Sequence, residues 1–123
     1  MFEVCPCGSG KNFLACCGSL HNGASATSAE ALMRARYSAY ARGDTAYLMR
    51  SWALETRPLT LSLNPNQVWT GLTIETYKMT GPNTAIVKFR ANWRKGRRTG
   101  SMTETSRFRR EMLDWVYVDG EAE

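Results

Sequence analysis

A chain of 123 residues, 43% hydrophobic and carrying four Trp, five Tyr and four Phe, has apolar material for one domain with a real core and a small appendage, not for two full domains. No stretch approaches about 18 consecutive apolar residues, which excludes a membrane-spanning helix. The formal charge of +5 falls by two, to +3, if four thiolates take up one divalent cation, so the protein reads as modestly basic.

All four cysteines lie near the start of the chain, as Cys5, Cys7, Cys16 and Cys17. Zinc is satisfied by four thiolates at about 2.3 Å, and closed all-cysteine sites are the usual structural kind, so the clustering predicts one tetrahedral zinc site. Disulfides are the rival reading. Cys16 with Cys17, or Cys5 with Cys7, would bridge only through strained geometry, whereas crossed pairings such as Cys5 with Cys16 stay open. Met1-Phe2-Glu3-Val4 runs into the motif with no basic or apolar leader, which predicts a reducing, cytoplasmic setting and favours metal over bridges. Gly8 and Gly10 permit the tight turns that aim backbone amides at sulfur, and Lys11 offsets thiolate charge. His21, four residues beyond Cys17, would ligate only if a cysteine were free, and is otherwise a supporting donor or a linker residue. Ser9-Gly10-Lys11 lacks the flanking frame of a phosphate loop.

The metal knuckle spans residues 1–20, with Gly18 closing it; residues 21–27 read as a linker, and residues 28–123 as one α+β domain. Thr27 or Ser28 caps a first long helix, along which Leu32, Met33, Tyr37 and Tyr40 set an apolar stripe while Arg34, Ser38 and Arg42 point elsewhere. Gly43 ends that helix, and Asp44 caps a second, shorter one running through Tyr47, Leu48 and Trp52. Pro58 and Pro65 break the next stretch into loop. From Trp69 the period changes to two. Val87, Phe89, Ala91 and Trp93 share one strand face and Lys88, Arg90 and Asn92 the other; Gly81-Pro82-Asn83 turns the chain before this strand and Lys95-Gly96-Arg97-Arg98 after it. The return strand, Met102 to Met112, puts Met102, Phe108 and Met112 on its even face and Arg107 and Arg109 on its odd face. A turn near Leu113-Asp114 leads into the last strand at Trp115-Val116-Tyr117-Val118. Helices followed by a meander of about four antiparallel strands is the α+β pattern.

Two stretches carry a family resemblance. The run C-x-C-x8-C-C, with an internal Gly-Ser-Gly-Lys and Phe13, resembles the SEC-C zinc motif known from the carboxyl-terminal tail of SecA-type translocation motors. The segment Ser28-Ala29-Glu30-Ala31-Leu32-Met33-Arg34-Ala35-Arg36-Tyr37-Ser38-Ala39-Tyr40, then Trp52, Ser106-Arg107-Phe108 and Trp115-Val116-Tyr117-Val118-Asp119-Gly120, resembles the YchJ family over nearly the whole chain. The resemblance implies a SEC-C zinc knuckle joined to a nuclear transport factor 2-like cone, with helices packed on a curved antiparallel sheet, in functionally uncharacterised proteins. In the SecA-like setting the motif offers a basic surface to an acidic chaperone, which makes Lys11 the residue here for contact with a protein partner. Folds of that superfamily often enclose a pocket between sheet and helices.

Tyr37, Tyr40, Trp52, Trp69, Phe89, Trp93, Phe108 and Trp115 could line such a pocket, or could simply be the core. Catalysis there needs a titratable group near the reacting atom, and few candidates exist. Asp44, Asp114 and Asp119 fall at caps or turns, and Glu104 and Glu111 could pair with neighbouring arginines. With the cysteines committed, no Cys-His or Ser-His-Asp set can be assembled. The leading expectation is therefore a non-catalytic cytoplasmic adaptor whose zinc knuckle docks on a protein partner. The alternatives are a small-molecule binder or enzyme using the domain's cavity, and nucleic-acid binding by the cluster Lys88, Arg90, Arg94, Lys95, Arg97, Arg98, Arg107, Arg109 and Arg110, for which a solvated strand face with a charged hairpin is the plainer reading.

Overall fold

The computed structural model describes residues 3–123; Met1 and Phe2, half of the stretch read as lacking a leader, lie outside the described residues. A 3-10 turn, Phe13–Ala15, and a short helix α1, Cys17–His21, close the cysteine knuckle. Helix α2 follows over Ala29–Arg42. Ser28 caps it, its Oγ accepting the Ala31 N–H at 3.0 Å, and Gly43 ends it in the left-handed conformation at φ 73°. Asp44 accepts from the Tyr47 N–H to cap α3, Thr45–Arg50. This second helix stops before Trp52, shorter than the spacing suggests, because the chain is taken up by the sheet instead. Tyr117 donates its N–H to the Ser51 carbonyl at 2.9 Å and accepts from the Ala53 N–H at 2.7 Å.

Four antiparallel strands, β1 Gln67–Gly81, β2 Thr84–Lys95, β3 Arg98–Glu111 and β4 Asp114–Ala122, form a meander in the order β1-β2-β3-β4. Irregularities in β1 between Trp69 and Gly71, Ile74 and Thr76, and Met79 and Gly81 bend that strand, as bulges do. Alternation behaves as the period-two pattern predicts on β2, where Ala85, Val87, Phe89 and Ala91 are buried. Met112 departs from it. Expected on the inner face of β3, it is 94% exposed, because β3 ends at Glu111 and the turn puts Met112 itself at φ 58°.

The helices lie across the inner face, and α2 contacts β1, β2 and β4. The other side of α2 is also covered. Cys5, Cys7, Phe13 and Cys17 belong to the same hydrophobic cluster as Leu32, Tyr37, Leu48 and Phe108. Ser38, on the side of α2 that reads as polar, is wholly buried there. His21 sits between Phe13 and Tyr47, with ring centroids 5.5 Å and 4.4 Å away, and Ala26 is buried, so residues 21–27 are packed at both ends.

Candidate metal centre and a polar cavity

The knuckle is assembled by backbone bonds before any side chain matters. Cys5 N–H donates to the Lys11 carbonyl at 2.9 Å and Phe13 N–H to that of Glu3 at 2.7 Å, closing a narrow loop. Gly8 and Gly10 turn that loop at φ 87° and 80°, conformations an L side chain resists. The 3-10 turn then brings back Cys16, whose N–H bonds to the Phe13 carbonyl at 3.0 Å, and α1 starts at Cys17. The four sulfurs consequently lie within 4.8 Å of one another, and all four cysteines are free thiols. Zinc at about 2.3 Å from each ligand requires sulfur–sulfur edges of about 3.8 Å; Cys7 and Cys16 sulfurs stand 3.7 Å apart. A disulfide would need about 2.05 Å.

Four thiols this close oppose one another's ionisation unless a cation joins them. Hydrogen bonding, chiefly from Cys17, holds the Cys7 thiol down at about 4, against desolvation. The same bond and then burial push Cys17 far up, while burial raises Cys16. One thiolate is easily made and the next is resisted, which is the electrostatic condition a divalent soft-ligand cation relieves. Cys5, Cys7, Cys16 and Cys17 would hold it, and the donor set fits zinc chemically. Ser38 Oγ stands 3.5 Å from Cys5 Sγ, Ser9 Oγ 3.2 Å from Cys16 Sγ, and Arg34 Nη1 donates to the Cys7 carbonyl at 2.9 Å. These groups steady the ligands. Lys11 is exposed, and it bonds through its backbone, its N–H to Ser9 Oγ and its carbonyl to the Cys5 N–H. His21 is outside the cysteine cluster, its Nε2 lying 2.8 Å from the Ala35 carbonyl and its Nδ1 3.7 Å from Asp44.

Beneath α2, between the helix and the sheet, lies a cavity of about 170 Å³. Tyr37, Tyr40, Trp69 and Phe89 are in its wall, together with Met33, Ala91 and Met102. Trp52, Trp93, Phe108 and Trp115, the remaining candidates for a pocket, are not. Trp52 packs edge-on against Tyr117, Trp93 lies against Gly100, Phe108 is core, and Trp115 is buried with Arg110 over its ring.

The polar part of that wall went unread in the sequence. Arg36 is 3% exposed, and its guanidinium stands 4.3 Å from the Tyr117 ring centroid and 5.0 Å from that of Trp52. Both of its hydrogen bonds leave from Nη1, to the Leu48 carbonyl at 2.8 Å and Ser51 Oγ at 2.7 Å. Among the described residues it has no carboxylate at ion-pair distance. Burial lowers its pKa, and removing a cation from water costs several kcal/mol, more than the roughly 2 kcal/mol a desolvated cation–π contact returns. Glu104 lines the same cavity rather than pairing with an arginine; its Oε2 accepts from Ser106 Oγ at 2.7 Å and from the Tyr117 hydroxyl at 3.3 Å. Desolvation, then the charge of Glu104, pushes Tyr117 far up, so its phenol stays a donor. The signals were available. Arg36 follows Met33 by three and precedes Tyr40 by four, and Glu104 and Ser106 fall between Met102 and Phe108 at period two.

Four of the nine residues in the basic cluster meet an acidic partner, and a fifth bonds to an amide. Arg90 meets Glu75 at 2.8 Å, Arg107 meets Asp119 at 2.6 Å, Arg109 meets Glu55 at 2.6 Å as well as Glu111, Lys88 meets Glu123 at 3.4 Å, and Arg110 bonds to Asn83. Arg94, Lys95, Arg97 and Arg98, around the β2–β3 turn, have no acidic partner among the described residues. No helix among the described residues is long and apolar enough to cross a membrane.

Comparison with known proteins follows this two-part layout. A family model described as the YchJ middle NTF2-like domain matches residues 28–120, and one described as the SEC-C motif matches residues 3–19. A UPF0225 protein of Xanthomonas oryzae pv. oryzae is 49% identical over 120 residues, covering 95% of this chain and 93% of the relative. One from Streptomyces coelicolor is 48% identical over 124 residues, with 95% and 94% covered. Among solved structures, the solution structure of a SEC-C motif containing protein from Rhodopseudomonas palustris superposes with a TM-score of 0.83 at 33% identity, covering 100% of this chain and 99% of that one. A crystal structure of a SEC-C motif containing protein from Psychrobacter arcticus, at 23% identity, TM-score 0.79 and coverage of 95% and 81%, shares the fold.

Proposed function

The chain belongs to the YchJ-like UPF0225 family, with a SEC-C motif ahead of an NTF2-like domain, and from that premise we propose a zinc-binding, non-catalytic cytoplasmic adaptor whose knuckle docks on an acidic segment of another protein. The observation that carries this reading is the split orientation of the knuckle. Cys5, Cys7 and Cys17 are buried against α2, while Gly8, Ser9, Gly10 and Lys11 are exposed, with Val4 and Leu14 58% and 67% exposed nearby. A cation held by the sulfurs would fix that outer surface without being consumed, as structural zinc does. Beside it, a groove of about 500 Å³ runs between the loop and the start of α2, with Lys11 and Arg34 in its wall. One cation there, Arg34, is already matched by Glu30 at 3.1 Å, which leaves Lys11 to attract a carboxylate.

The test compares wild type, Lys11→Glu and Leu14→Asp, all with metal content measured, for binding of an acidic, apolar-anchored peptide by titration calorimetry at low and moderate salt. Weakening in both variants at full metal occupancy supports docking through this face. Equal binding by all three disposes of it. The cavity favours a second reading, small-molecule binding by the NTF2-like domain, because Arg36 and Glu104 in its wall each keep part of their hydrogen-bonding capacity, Nε and Nη2 of the one and Oε1 of the other, without a partner among the described residues.

A further inference from the structure

Within the reading that the cavity binds a small molecule, we propose that its occupant is a small α-amino or α-hydroxy carboxylic acid, with the carboxylate on Arg36 and the amine or hydroxyl on Glu104. Arg36 spends Nη1 on the Leu48 carbonyl and Ser51 Oγ, so the Nε–H and Nη2 edge has no acceptor among the described residues, although the side chain is 97% buried by its 3% exposure and lines the cavity. That edge presents parallel N–H groups at the spacing of a carboxylate's two oxygens, a geometry lysine lacks. Glu104 is the complementary end. Its Oε2 is occupied by Ser106 and Tyr117, and Oε1 has no donor among the described residues. A ligand must therefore offer an acceptor pair at one end and a donor at the other.

Size and charge narrow the class. At about 170 Å³ the cavity falls below the roughly 300 Å³ where pockets for drug-sized ligands begin, and at about 30 Å³ per water it has room for only about six water-sized groups. Arg36 and Glu104 cancel one another, so a zwitterion or a monoanion bearing a donor fits the field, whereas a dianion would meet the Glu104 carboxylate. Phe89, Ala91, Met102 and Trp69 leave space only for a short apolar side chain beside the two polar contacts.

The experiment is a ¹⁵N NMR titration of the full metal-loaded protein with alanine, lactate, acetate, and the methyl esters of alanine and lactate, following the Trp69 indole and the amides of Ala91 and Ser106. Alanine or lactate should shift these signals saturably at millimolar concentration, and the esters, which keep the donor but lose the carboxylate, should bind about ten- to a hundredfold more weakly. Glu104→Gln retains an oxygen for Ser106 and Tyr117 and should weaken alanine or lactate about tenfold while leaving acetate unchanged. The ester comparison leaves Arg36 in place, so it holds even if Arg36 variants fail to fold. Equal binding of acids and esters, or no effect of Glu104→Gln on alanine and lactate, overturns the assignment. Shifts with the esters and none with the acids would overturn the ligand class while leaving cavity binding intact. Silence with every probe would overturn both.

Discussion

Gly18 approaches Phe13 so closely that a β-carbon added to it would stand 2.7 Å from the Phe13 carbonyl oxygen and 2.9 Å from its ring. Neither neighbour can yield without reopening the knuckle, so Gly18→Ala should cost about 1–3 kcal/mol, read as a lower melting temperature and a drop in bound metal. Gly120 contrasts with it. A β-carbon there would fall on the Glu104 carboxylate, the far end of a flexible side chain, so the backbone can stay in place while Gly120→Ala displaces Glu104 from Ser106 and Tyr117, at a cost of about 1–3 kcal/mol and with a shift of the Tyr117 ring signals. The two cases mirror how legible each site is. The cysteines announce themselves because their spacing is local, whereas Arg36 and Glu104 stay hidden because charged residues are read outward by default. Their positions on the helical and period-two faces said otherwise.

At the scale of elements, α2 does the organising. Its apolar stripe faces the sheet, as Leu32, Met33, Tyr37 and Tyr40 foretell, and its caps are where Ser28 and Gly43 put them. Its opposite side is the seat of the knuckle: Ser38 meets Cys5, Arg34 holds the Cys7 carbonyl, and Arg42 pairs with Glu3 and lies 3.9 Å from the Phe13 ring centroid. Sequence periodicity could not supply this, since polar residues on a helix read as solvent-facing whether water or the cysteine loop covers them. On the proposed metal-bound form, chelation should therefore loosen residues 3–19 and the facing turns of α2 first, while amides of β2 and β3, paired on both sides, keep their protection in hydrogen exchange. Uniform loss of protection across the chain would contradict that hierarchy.

For the molecule as a whole, pH exposes how much of the core is phenolic. Burial pushes Tyr47 up to about 12, and raises Tyr37 and Tyr117 as well. A raised folded-state pKa means the neutral phenol is favoured in the fold, so the associated stability is complete below about pH 10 and is lost as pH climbs through 12. For Tyr47 alone this amounts to about 2–3 kcal/mol. Denaturant midpoints from pH 9 to 12, followed beside tyrosinate absorbance, should fall together; midpoints that hold steady to pH 12 would refute the packing of these rings. The α+β layout and meander were legible because strands follow one another in order, but the bulged course of β1 and the capture of residues 51–53 by β4 depend on partners far away in the chain. That same distance governs synthesis. The cysteines leave the ribosome before the helix that walls them in, so the nascent loop would meet any cation half-built, and a tight grip would have to wait until residue 42 and the turns behind it had emerged.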